Sequence, residues 1–125
     1  MENNLVGWFE IPVTDMNRAK AFYDKVFNIN IQVQDFGDTL MGWFPFAEDK
    51  PGAPGSLVKN DAYEPSNTQG VLIYFSSEDV TNELNKVEIA GGKLVQPKTQ
   101  ISPDIGYMAI FIDSEGNRIA LHSRE

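Results

Sequence analysis

The feature that most constrains this chain is an internal repeat. Trp8-Phe9-Glu10-Ile11-Pro12-Val13-Thr14-Asp15 can be laid on Leu72-Ile73-Tyr74-Phe75-Ser76-Ser77-Glu78-Asp79, sixty-four positions later. Each copy alternates in polarity, ends at an acidic residue and runs into a segment with helical periodicity. A repeat of this length predicts two similar modules packed against each other. A surface shared by two modules is a natural place for a ligand.

The first copy predicts a strand over Leu5 to Val13, with Phe9, Ile11 and Val13 on one face and Trp8, Glu10 and Pro12 on the other. Asp15 suits a helix N-cap, because its carboxylate can accept a first-turn N–H. Met16, Ala19, Phe22, Tyr23, Val26 and Phe27 then fall on one helical stripe, and Asn28 suits the left-handed C-cap. Strands over Ile29 to Phe36 and Thr39 to Phe46 follow, joined at Gly37-Asp38, with a loop from Ala47 to Gly55 and a short strand over Ser56 to Asn60. Asp61 to Thr68 reads as the linker.

The second copy predicts a strand over Gln69 to Ser76, with Val71, Ile73 and Phe75 apolar on one face. A helix capped by Ser77 or Asp79 buries Val80, Leu84, Val87 and Ala90 and stops at Gly91-Gly92. Strands around Lys93 to Pro97, Ile105 to Asp113 and Asn117 to Ser123 complete it, the last two joined by a tight return at Ser114-Glu115-Gly116.

The pattern is β-α-β-β-β, twice, in one domain over 1–125 with modules at about 5–60 and 69–123. The fold class is α+β. One helix covers only one face of a four-stranded sheet, so the uncovered faces are expected to turn toward each other as a curved mixed sheet around a cleft. Parity assigns Phe9, Ile11, Val13, Val71, Ile73, Phe75, Ile119 and Leu121 to the helices. It assigns Trp8, Glu10, Leu72, Tyr74, Ser76, Ala120 and His122 to the cleft. The second set is mixed and more polar, as a ligand pocket is.

Composition narrows the partners. The chain carries a formal charge of −8 and no Lys/Arg cluster, so nucleic acid and anionic membrane are not expected partners. There is no cysteine, which excludes disulfides, thiolate metal sites and cysteine nucleophiles. The start lacks the pattern of a signal peptide, and the default expectation is cytoplasmic. No nucleotide-cradling glycine loop and no G-x-S-x-G elbow is present.

Three stretches resemble the glyoxalase, bleomycin-resistance and extradiol-dioxygenase superfamily, the vicinal oxygen chelate fold. They are Val13-Thr14-Asp15-Met16-Asn17-Arg18-Ala19-Lys20-Ala21-Phe22-Tyr23, Gly91-Gly92, and Asp113-Ser114-Glu115-Gly116-Asn117-Arg118-Ile119-Ala120-Leu121. The resemblance implies paired modules around a cavity and homodimerisation. It also implies that metal-dependent members place ligands at positions matching Trp8, Leu72, Ala120 and a residue within Ser56 to Val58. Indole and aliphatic side chains donate no lone pair to a divalent ion, so this departure predicts no metal and no cofactor.

Two polar residues remain candidates for catalysis. Glu10 would be costly if buried unpaired, and is a general base, one ligand of an atypical site, or a hydrogen-bonded structural residue. His122, the only histidine, shares the parity of Ala120 and lies about 6–7 Å beyond it along the strand. Trp8, Trp43, Leu72, Tyr74, Tyr107 and Ala120 are the expected ligand-binding walls. The leading expectation is metal-independent binding of a small organic molecule by a homodimer. The alternatives are a metal-dependent lyase or isomerase built on Glu10 and His122, and a non-catalytic dimeric scaffold.

Overall fold

The computed structural model describes residues 4–125. It contains β1 (Phe9–Pro12), α1 (Met16–Phe27), β2 (Gln32–Asp35), β3 (Leu40–Trp43) and β4 (Gly55–Lys59). The second module contains β5 (Ile73–Ser76), α2 (Val80–Val87), β6 (Lys93–Ser102), β7 (Gly106–Ile112) and β8 (Arg118–Ser123). The order is the predicted β-α-β-β-β, twice. Each module forms a four-stranded mixed sheet, β1-β4-β3-β2 and β5-β8-β7-β6, with the first strand at one edge. β1 is parallel to β4 and β5 to β8; the other pairs are antiparallel.

The helix ends follow local chemistry. Asp15 is extended and accepts from Arg18 N, while Asn28 takes φ 54° and returns its N–H to Asp24 O. Asp79 caps α2 by accepting from Thr81 N. Gly91, at φ +106°, is the glycine that ends the second helical segment, a conformation costly for any residue with a Cβ. Strands β1, β2, β3 and β5 are shorter than expected, although Val13, Phe36, Phe44 and Ser77 each extend the backbone bonding by one bond just beyond them. β6 is longer: it runs through Pro97 by shifting register between Leu94 and Gln96 and again between Gln96 and Thr99. Such irregularities let a strand carry a residue without an N–H.

The two helices pack on each other and on the same side of both sheets. One core results, containing Ile11, Val13, Phe22, Tyr23, Val26 and Leu57 from the first module and Val80, Val87, Ala109, Phe111, Ile119 and Leu121 from the second. Phe9, Phe27, Phe44 and Phe75 extend it as an aromatic cluster across the module boundary, with Phe9 and Phe75 centroids 5.8 Å apart. The helix-facing sides of both sheets therefore point inward. Their other faces are open and point away from the shared core. Val71, expected on the helix side, is 87% exposed and precedes β5.

A buried polar junction fixes the modules. Asp113, at the end of β7, accepts from the Tyr23 hydroxyl of α1 at 2.7 Å and from Asn117 N and Glu115 N in its own turn. Asn117 Nδ2 donates to Pro12 O at 2.7 Å. Beside it, Glu115 accepts from Thr14 N and Asp15 N at 2.9 and 2.8 Å, and binds Arg18 through Nε at 2.6 Å and Nη2 at 3.0 Å. Burial pushes the Asp113 carboxyl above its ordinary value, and this outweighs the bonds from Tyr23 and Asn117. Burial pushes Glu115 the same way, but Arg18 and the Asp15 and Thr14 amides prevail and hold it below.

The two shifts have opposite consequences. A lowered carboxyl adds stability that is present above its unfolded value and lost as pH falls through its folded value; a raised one penalises the fold as pH rises. Urea unfolding of the wild type and Glu115→Gln as a function of pH checks this. The wild type is expected to be the more stable at neutral pH, and its advantage should shrink as pH falls below the ordinary glutamate value of 4.5. An advantage independent of pH would refute the assignment.

Candidate functional site

Strand register assigns the open faces without ambiguity. Glu10 pairs with Ser56 and Ser56 with Trp43, so Trp8, Glu10, Ser56, Val58, Met41 and Trp43 share the open face of the first sheet. Tyr74 pairs with Ala120 and Ala120 with Ile110, while Ser76 pairs with His122 and His122 with Met108. Leu72, Tyr74, Ala120, His122, Met108 and Ile110 thus share the open face of the second sheet. Trp8, Trp43 and Tyr74 are 44%, 40% and 51% exposed, more than aromatic rings in a sealed core.

The centre of each face is small and buried. Ala120 lies at zero exposure between Tyr74 and Ile110. Ser56 is equally buried between Glu10 and Trp43, and its Oγ has no hydrogen-bond partner. A buried unsatisfied hydroxyl costs about 1–3 kcal/mol.

Glu10 is exposed, so the cost of a buried unpaired carboxylate does not arise. Trp8 Nε1 donates to it at 3.3 Å. Tyr63, from the segment joining the modules, stands beside it, and the Glu10 charge raises the Tyr63 phenol above its ordinary value. His122 is half-buried, and its Nε2 lies 2.8 Å from Ile105 O. Glu10 and His122 belong to different sheets, and no structural contact brings them together.

Tyr107 is placed differently from the expectation. It pairs with Ser123 and shares the side of Ala109 and Phe111, so it faces the helices, with Lys98 Nζ 4.6 Å above its ring. Lys98 also reaches the α2 cap at Asp79. Met41, Met108 and Ile110 join the open faces unforeseen, because β3 and β7 are apolar on both sides and alternation gives no contrast. Tyr63 was hidden because its segment has no periodicity.

Residues 5–121 match the family model described as Glyoxalase/Bleomycin resistance protein/Dioxygenase superfamily. The chain belongs to this superfamily. A glyoxylase-like domain-containing protein from Didymella fabae is 26% identical over 124 residues, covering 95% of this chain and 93% of that protein. Glyoxalase I from Zea mays superposes with a TM-score of 0.70 at 17% identity, over 94% of this chain but 45% of the maize chain. This chain therefore spans less than half the length of that enzyme. A genomically encoded fosfomycin resistance protein from Listeria monocytogenes superposes at 0.67 with 20% identity, over 98% of this chain and 92% of that chain. These structural likenesses establish the fold.

The positions that the resemblance implies as metal ligands hold Trp8, Leu72, Ala120 and a residue within Ser56 to Val58, of which Ser56 and Val58 lie on the open face. Trp8 offers an N–H already directed at Glu10, Leu72 and Ala120 offer no lone pair, and Ser56 is one neutral hydroxyl. These side chains do not form a chelating set. Among the described residues no group of three His, Cys, Asp or Glu is placed to hold a metal ion. Also among them, no helix is long and apolar enough to cross a membrane.

The orphaned hydroxyl makes a direct prediction. Ser56→Ala should raise the unfolding free energy by about 1 kcal/mol, because it removes an unpaired polar group without opening a large cavity. Urea denaturation reads the effect, and a comparable loss of stability would show that the hydroxyl has a partner.

Proposed function

We propose that this member of the superfamily binds a small organic molecule on its open sheet faces without a chelated divalent metal. The observation that supports this reading is the substitution of aromatic and aliphatic side chains at the implied ligand positions, on faces that keep their aromatic rings exposed. Indole and phenol faces attract flat or apolar groups, and their N–H and O–H edges orient polar ones. Glu10, held by Trp8, supplies a hydrogen-bond acceptor at the rim of the first face.

The open faces point outward from the core, so neither encloses a ligand alone. In this reading a second copy completes the enclosure, the first-sheet face of one copy opposing the second-sheet face of the other. The maize enzyme carries more than twice this length in one chain, which fits a two-unit requirement. The superfamily description and the fosfomycin resistance neighbour make antibiotics reasonable first candidates for the ligand.

Both tryptophans of the chain stand on the first open face, so intrinsic fluorescence reports on it directly. A panel including fosfomycin, bleomycin and aromatic acids should contain a compound that shifts the emission. Tyr74→Ala, which leaves both reporters in place, should weaken its binding at least tenfold. Trp8→Ala should do the same by calorimetry. Ligand binding indifferent to both substitutions would overturn the reading. So would near-stoichiometric Zn, Ni, Fe or Mn in untagged protein that is lost in Glu10→Gln and His122→Ala.

Assembly is checked separately. Light scattering at micromolar concentration should give twice the 14.0 kDa of one chain. A mass of one chain would remove the second copy from the site.

A further inference from the structure

A cavity of the described structure lies off the open face of the first sheet and follows the outer edge of β5. It has a volume of about 500 Å3 and is bounded by Phe9, Phe27, Ile29 and Phe44 of the first module, the Pro51 to Gly55 loop, and Leu72 to Ser76. Phe9 and Phe44 belong to the aromatic cluster on the inward side. The cavity is thus separated from the Trp8 and Trp43 face by the thickness of the first sheet.

Two features indicate what it can take. None of its sixteen described lining residues is charged, although 22% of the chain is Asp, Glu, Lys or Arg. A charged ligand would lose its hydration there with nothing to replace it. The cavity also touches five consecutive residues, Leu72 to Ser76. One face of a strand offers only every second residue, so contact with all five means that the groove follows the strand edge.

That edge retains hydrogen-bonding capacity. Ser77 N donates to His122 O at 2.8 Å, so by alternation Phe75 and Ile73 also turn their backbone groups to β8. Leu72, Tyr74 and Ser76 turn theirs outward, and no strand of the described residues pairs with them. A row of unpaired N–H and C=O groups beside aromatic rings is a recognition surface with a defined direction.

The geometry points to a second binding site at this groove, for a neutral, largely aromatic molecule of drug-like size carrying an amide, amine or carbonyl that bonds the β5 edge. The volume lies within the roughly 300–1,000 Å3 of small-molecule sites. The rings of Phe9, Phe27 and Phe44 supply apolar contact, and the Tyr74 and Ser76 backbone supplies the polar anchor. The site is distinct from the Trp8 and Trp43 face, neither of which lines it; Leu72 and Tyr74, whose side chains belong to the second open face, take part here through the backbone edge.

N-phenyl-1-naphthylamine, a neutral fluorophore with one N–H, is the probe. The full chain should bind it saturably, one per chain, with micromolar affinity. Its anionic analogue bearing a sulfonate should bind at least tenfold more weakly. In two-dimensional amide NMR the shifts should concentrate at Leu72, Tyr74 and Ser76. Ala53→Phe, which fills the groove from the loop, and Val6→Asp, which adds a charge at an exposed rim position, should each reduce affinity at least tenfold.

Trp8→Ala should leave this binding unchanged while weakening any open-face ligand, which separates failure of one site from failure of the other. Equal binding of neutral and anionic probes, or affinity unchanged in both groove variants, would overturn the proposal. A fall in mass from two chains to one on probe binding would also overturn it, since a second copy would then be the natural occupant of the edge.

Discussion

The carboxylate of Glu115 is the contact on which the arrangement of this protein depends. It belongs to the last turn of the second module, yet it accepts both backbone amides at the start of α1 and pairs with Arg18 through two nitrogens. The start of a helix has unpaired N–H groups and a partial positive charge, so an anion placed there is stabilised twice. With Tyr23 bonded to Asp113 and Asn117 bonded to Pro12 O, the turn locks the first module to the second. The orientation of one helix against the other follows, and with it the shared core.

That orientation decides where chemistry can happen. Because the helices lie together, the apolar sides of both sheets are consumed by one core, and the mixed sides face outward. The exposed aromatic rings are a consequence of this geometry and not of loose packing. Burial of Asp113 works against the junction, since its charged form lacks water; the donors around it offset part of that cost. A junction that tolerates such a residue does so for the directional bonds it makes, which apolar packing lacks.

The superfamily fold is retained while the side chains at its implied metal positions are not. In the proposed reading, such a face recognises its ligand by stacking on aromatic and aliphatic groups in place of oxygen atoms gathered by an ion. The groove proposed along the β5 edge would add a different kind of recognition, through backbone groups that no side-chain substitution removes.

Much was legible in the sequence. The repeat gave two modules, the Asp15, Asn28 and Asp79 caps act through their own side chains or backbone, and alternation in β1 and β8 sorted Glu10, Ala120 and His122 to the open faces. These are local properties, set within a few residues by hydrogen-bond geometry and steric limits. Three things were decided only by tertiary structure. The open faces turn outward because the Glu115 junction spans about a hundred residues, a separation that no local pattern encodes. Tyr107 turns toward the helices because β7 is apolar on both sides, so only its pairing with Ser123 fixes its parity. Glu10 is exposed and approached by Tyr63 because burial depends on what other segments cover, and the segment carrying Tyr63 has no periodic signal of its own.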